Sequence, residues 1–154
     1  MGQIDKRLAE LGITLPTPAK PIANYVPWVR TGNQVFISGQ GPLLDGKILY
    51  TGALGNGVSI EDGAKSARLC AINVIAQIRE ACGGDLDRVK RIVKLVGFVN
   101  STADFADHPK IINGASDLMV DVFGDKGRHA RSAVGAPSLP FAISVEVEAV
   151  VEVE

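Results

Sequence analysis

The clearest hydrophobic pattern lies at the end of the chain. From Ile143 onward, Ile143, Val145, Val147, Ala149, Val151 and Val153 share one face, and Ser144, Glu146, Glu148, Val150, Glu152 and Glu154 share the other. A period of two over this length predicts a half-buried strand. Val89 to Val99 is also β-rich, but its apolar residues fall on both faces, so it predicts a central strand buried on two sides. Two stretches carry the helical period instead. Ala67, Cys70, Ala71, Val74, Ile75 and Ile78 form one apolar stripe. Ser59 opens that helix as N-cap, Glu61 and Asp62 suit its dipole, and Gly83-Gly84 closes it. Asp104 to Phe123 predicts a second helix, with Ile111, Ile112, Ala115, Leu118, Met119, Val122 and Phe123 inward and Pro109 in its first turn.

The remaining elements are short. Ile4, Leu8 and Leu11 fit a helix ending at Gly12, followed by the proline-rich TLPTPAKPIAN. Tyr25 to Arg30 and Gln34 to Ser38 predict two strands around Thr31-Gly32-Asn33, with Ser38-Gly39-Gln40-Gly41-Pro42 breaking the second. Asp45-Gly46 predicts a hairpin turn into a strand from Lys47 to Thr51. The order is helix, three strands, long helix, strand, helix, two strands. It predicts one domain over 1–154, with residues 1–20 as an N-terminal helical extension. The expected class is α+β: two layers, a mixed sheet with two main helices on one face. Val96, Phe98 and Val150 lie on the other face, which no helix is left to cover, and this predicts self-association. The row of four carboxylates on the last strand needs cations opposite, so Lys90 and Lys94 are its expected cross-strand partners.

Composition narrows the functional classes. Lys and Arg number 16 against 17 Asp and Glu, a net charge of −1, which withholds the positive field of a nucleic-acid binder. No apolar run approaches a membrane span, and the polar N-terminus MGQIDKRLAELG is not a secretory signal, so a cytoplasmic protein without membrane contact is expected. Cys70 and Cys82 stand twelve residues apart in one helix, about 18 Å, which predicts two buried free thiols. Two histidines and two unpaired cysteines argue against a metal site. No nucleophile elbow, P-loop or CxxC is present.

One run adds chemistry: Arg131-Ser132-Ala133-Val134-Gly135, then Leu139-Pro140, then Val145-Glu146-Val147-Glu148-Ala149. It resembles the C-terminal signature of the RidA/YjgF family, the reactive-intermediate imine deaminases, also known as L-PSP endoribonucleases. Tyr25, Ser38-Gly39-Gln40, the strand end Gly97-Phe98-Val99-Asn100, Asp104-Phe105 and Asn113 follow the family's order along nearly the whole chain. The resemblance implies a chorismate-mutase-like fold and a homotrimer with clefts between subunits. It implies hydrolysis of enamine or imine products of amino-acid metabolism, such as 2-aminoacrylate, to 2-keto acids and ammonia, without metal or organic cofactor. Arg131 and Glu146 are then the catalytic candidates. Tyr25, Ser38, Gly39, Asn113 and Ala133 are the substrate-binding candidates.

The residue chemistry suits that reaction. A guanidinium clamps a carboxylate through two parallel donors, and clamping sets the C=N carbon beside a water. Glu146 can hold that water and move a proton. Plainer roles stand beside these: a surface ion pair for Arg131, pairing with Lys90 or Lys94 for Glu146, a structural Glu148, a loop role for His129. The chain also departs from shorter members. It has the N-terminal extension, a longer DFADHPKIING connection, Ala133 where many members have Cys, and a distinctive FGDKGRHAR segment that resembles a longer-chain subgroup. The competing functions are an endoribonuclease and a non-catalytic sensor of small carboxylates.

Overall fold

The computed structural model describes residues 1–18 and 20–154. The first helix, α1 (Gln3–Glu10), has no side-chain cap of its own. Its N-terminal donors go instead to a distant carboxylate. The Gln3 and Ile4 N–H groups each donate to Asp87 at 2.9 Å, which holds the Asp87 carboxyl below the ordinary range. The extension is thus tied to the body of the domain. The chain then runs without helix or strand through Pro18, and residue 19 of the expected 1–20 extension lies outside the described residues.

Strands β1 (Trp28–Thr31) and β2 (Gln34–Gln40) form the predicted hairpin. β1 begins three residues after Tyr25, which lies in a bend. The expected break at Ser38-Gly39-Gln40 is instead a bulge inside β2: the pairing shifts register between Ile37 and Gln40. A bulge keeps the strand going while turning its side chains, which alternation alone does not reveal. β3 (Leu43–Leu44) and β4 (Lys47–Ile48) flank Asp45 and Gly46, whose φ angles of 50° and 76° are those of the predicted turn. The fourth strand is shorter than predicted, and Thr51 makes only an isolated bridge to Ile143. β5 (Ala53–Leu54) and β6 (Gly57–Val58) add a small parallel pair.

Helix α2 (Ile60–Ala81) starts as expected, with Ser59 Oγ accepting from the Asp62 N–H at 3.1 Å. β7 (Val89–Asn100) follows. Helix α3 (His108–Phe123) begins four residues later than predicted, because Pro109 in its first turn disfavours helix before it and Phe105 closes a turn onto Thr102. β8 (Ala130–Ala136) and β9 (Val145–Val153) complete the chain.

The main sheet has the order β1-β2-β9-β7-β8, with β8 parallel to β7 and the other pairs antiparallel. It is therefore mixed, and α2 and α3 lie on one face, as predicted. α2 and α3 touch closely where Gly114 meets the backbone of Ala64; a side chain at 114 would collide with that carbonyl. Beneath them lies the core: Val74, Ile75, Ile78, Ile111, Ile112 and Met119 from the helices meet Val35, Leu95, Val99, Val147 and Val151 from the sheet, all fully buried. Cys70 and Cys82 are buried free thiols, and burial pushes both up from the ordinary thiol range.

β7 and β9 pair as predicted, but not in the register that the charges suggested. Two irregularities, between Val89 and Arg91 and between Ile92 and Lys94, set Lys94 opposite Val150 and Arg91 opposite Glu152. Glu146 faces Phe98, and Glu148 faces Val96. Neither Lys90 nor Lys94 forms an ion pair among the described residues. The buried face decides the register, since a slip would expose valines, whereas an exposed ion pair contributes little.

Candidate active site

The predicted site residues fall into two groups on opposite faces of the sheet. The first group surrounds a cavity of about 360 Å³ on the face away from the helices. Tyr25, Ser38, Gly39 and Glu146 line it, with Pro140, Phe141 and Ile143 along one wall. Two bonds fix the entry segment against β2. The Ser38 N–H donates to the Pro27 carbonyl at 2.9 Å, and Ser38 Oγ donates to the Val26 carbonyl at 2.8 Å. Ser38 thus fixes Val26 and Pro27, next to Tyr25 of the cavity lining, and its oxygen lone pairs stay available.

The Glu146 side chain lies over the Cα of Gly39, so that a Cβ at position 39 would run into Glu146 Oε1. Glycine there is a matter of space; its φ is not among the positive ones. Partial burial, and then the neighbouring charge of Glu148, raise the Glu146 carboxyl above the ordinary range. A carboxyl so shifted exchanges a proton more readily near neutral pH. The opposite wall is strained. Phe141 and Ala142 are consecutive non-glycine residues at φ 57° and 55°. They present Phe141 to the cavity at 71% exposure.

The second group lies on the helix side, at the open edge of the sheet. Arg131 of β8 is paired with Leu95, whose side chain points to the helices. Its Nη1 donates to Asn113 Oδ1 at 2.8 Å and to Ser116 Oγ at 3.2 Å, both on α3. Ala133, two residues on, packs against the core on this same face. Asn113 and Arg131 therefore meet within one chain, while Arg131 and Glu146 do not. Within one chain they stand two strands across and three residues along, about 14 Å between Cα atoms at ordinary sheet spacing.

Several participants escaped the sequence reading. Ser116 is one, although its i,i+3 spacing from Asn113 places both on one helix face. Phe141 is another, and its left-handed backbone has no sequence signal. Among the described residues, no group of three or more His, Cys, Asp or Glu side chains could hold a metal ion. No helix among them is long and apolar enough to cross a membrane.

Comparison with known proteins fits this architecture. The family model described as "YjgF/chorismate_mutase-like, putative endoribonuclease" matches residues 5–153. The chain belongs to this family. It is 49% identical to Protein TCP17 of Trypanosoma cruzi over 152 residues, covering 98% of this chain and 94% of that one. Among solved structures it is similar to protein Atu1372 of Agrobacterium tumefaciens, described as of unknown function. That match has a TM-score of 0.93 and 48% identity, over 98% of this chain and 92% of that one. It is also similar to E. coli TdcF with bound serine, with a TM-score of 0.65 and 26% identity over 90% and 94% of the two chains.

Proposed function

We propose that the protein hydrolyses small 2-imino acids, or their enamine tautomers, to 2-keto acids and ammonia. The observation that carries this reading is the Glu146 carboxyl, raised by burial and held over Gly39 in a cavity of about 360 Å³. Glu146 takes a proton from a water as the water oxygen bonds to the imine carbon. The C=N π pair moves to nitrogen, which gains a proton. The resulting carbinolamine then collapses to C=O, breaking the C–N bond and releasing ammonia. Arg131 supplies the carboxylate clamp: Nη1 is spent on Asn113 and Ser116, and the Nε–Nη2 edge has no partner among the described residues.

In this reading the two groups of residues come together between subunits. β8 is an edge strand carrying Arg131, and the helix-free sheet face carrying Glu146 holds half-buried Val96 and Phe98 and exposed Phe36 and Val134. A homotrimer joined through these faces would set one copy's Arg131 against its neighbour's cavity. The serine bound to TdcF supports a ligand bearing a carboxylate and a nitrogen on the same carbon, as a 2-imino acid does. Cleavage of RNA is supported less. The net charge is −1, and Lys20 is the one cation among the described residues lining the cavity. A cytoplasmic location accords with substrates from amino-acid metabolism.

The test is ammonia release from 2-aminoacrylate or 2-iminobutanoate generated in situ by a dehydratase. Wild type is expected to accelerate it. Arg131→Ala is expected to lose at least about 100-fold while retaining its circular dichroism, since two charge-assisted bonds are removed. Full activity in Arg131→Ala overturns the role given to Arg131. RNA cleavage abolished by Glu146→Gln, with no deaminase rate, would establish the other reading.

A further inference from the structure

We infer that Ser116 and His129 are positioning residues for Arg131, joined in a hydrogen-bond relay of fixed direction; this rests on the deaminase reading of Arg131. The relay begins at the Gly127 carbonyl, 2.7 Å from His129 Nδ1. A carbonyl can only accept, so Nδ1 carries the proton. In the neutral ring Nε2 is then an acceptor, and its partner at 2.9 Å, Ser116 Oγ, must donate to it. With its proton committed to His129, the Ser116 oxygen turns its lone pairs to Arg131 Nη1 at 3.2 Å. The second Nη1 proton goes to Asn113 Oδ1 at 2.8 Å. Both Nη1 protons are thereby assigned, and the Nε–Nη2 edge is the fork left for a carboxylate.

The anchor of the relay is rigid. Gly127 is buried, and a Cβ there would collide with the Met119 carbonyl of α3, so this loop touches the helix backbone directly. Gly127 and Ser116 are therefore held to the same helix, and His129 spans the gap between them. The FGDKGRHAR segment supplies the acceptor and the ring; α3 supplies the serine. Its function here is to orient the guanidinium, without touching substrate.

Two measurements test this. The first is the two-bond ¹H–¹⁵N spectrum of wild type at pH 7.5. His129 is expected to show a protonated Nδ1 and a bare Nε2; the opposite tautomer overturns the relay. The second is binding of 2-oxobutanoate by titration calorimetry. Wild type is expected to bind. Ser116→Ala is expected to raise Kd about ten-fold, the loss of one bond to a charged group. Ser116→Thr, which restores the hydroxyl, is expected to recover to within about three-fold. Wild-type Kd in Ser116→Ala, with Arg131→Ala unable to bind, overturns the relay and leaves the deaminase reading standing. Wild-type Kd in Arg131→Ala, or no binding by wild type, overturns both. Circular dichroism of each variant separates these effects from unfolding.

Discussion

On its helix side the central sheet presents Val35, Leu95, Val99, Val147 and Val151, none with any exposure; on its other side Phe36 and Val134 are each 44% exposed. One strand can serve both faces, as neighbouring Val35 and Phe36 of β2 do, because β side chains alternate between faces. The first face is complete within one chain, since α2 and α3 remove it from water at about 1.5–3 kcal/mol per large side chain. The second face mixes apolar residues with Glu146, Glu148 and Glu152 and has no covering element among the described residues. The proposed site divides the same way. Arg131 is braced on the finished side by helix residues, and Glu146 stands on the unfinished side in a cavity. In the proposed reading, the clamp is oriented by the fold of one chain, and the base stands on the face that would join a second copy.

The most drastic way to break this contrast is Phe98→Asp, which adds a carboxylate opposite Glu146 on the open face. Sedimentation is expected to show single chains, with deaminase activity down at least about 100-fold as the two halves of the site separate. An unchanged assembly and rate would show that the open face joins nothing. Leu95→Ala attacks the finished face instead. It is expected to cost about 2–5 kcal/mol in urea unfolding, the range for a buried large-to-small change. A cost near zero would mean that this face is packed no better than the other.

Gly39→Ala probes the cavity alone. Its Cβ displaces Glu146 Oε1, so the rate should fall about ten-fold for a small misplacement of the base. Tm should move by no more than about 2 °C. A normal rate would remove Glu146 from that position.

The smallest effect is a pH dependence. The raised Glu146 carboxyl binds its proton more tightly folded than unfolded, so its ionisation weakens the fold as pH rises past the ordinary glutamate range. Glu146→Gln is accordingly expected to melt about 2 °C above wild type at pH 7.5, and the gain to vanish by about pH 4. A gain that grows on acidification has the wrong sign and would refute the assignment.

Long periodic elements were legible in the sequence for a simple reason. α2, with its Ser59 cap and apolar stripe, and β9, with its strict alternation, report burial that is local to each element. The pairing of β7 with β9 was legible too, yet the Lys90 and Lys94 argument for its register misled. Exposed charges contribute too little to outweigh valines entering the core. The bulge at Ser38-Gly39-Gln40 and the start of α3 at His108 were missed because each depends on what the neighbouring segment pairs with. Tyr25, Ser38, Gly39 and Glu146, named from the family resemblance, line one cavity. Ser116 and Phe141 lay outside it.

The sequence alone determined the class of fold, the buried faces of its helices and last strand, and the membership that Arg131 to Glu148 signals. Those properties are sums over periodic local choices. Only the tertiary structure decided that Asp87 caps α1, that Glu146 rests on Gly39, and that Arg131 turns to α3 on the far side of the sheet. Each of these depends on atoms brought together from distant parts of the chain, and such approaches are set by packing in three dimensions, which no spacing along the sequence encodes.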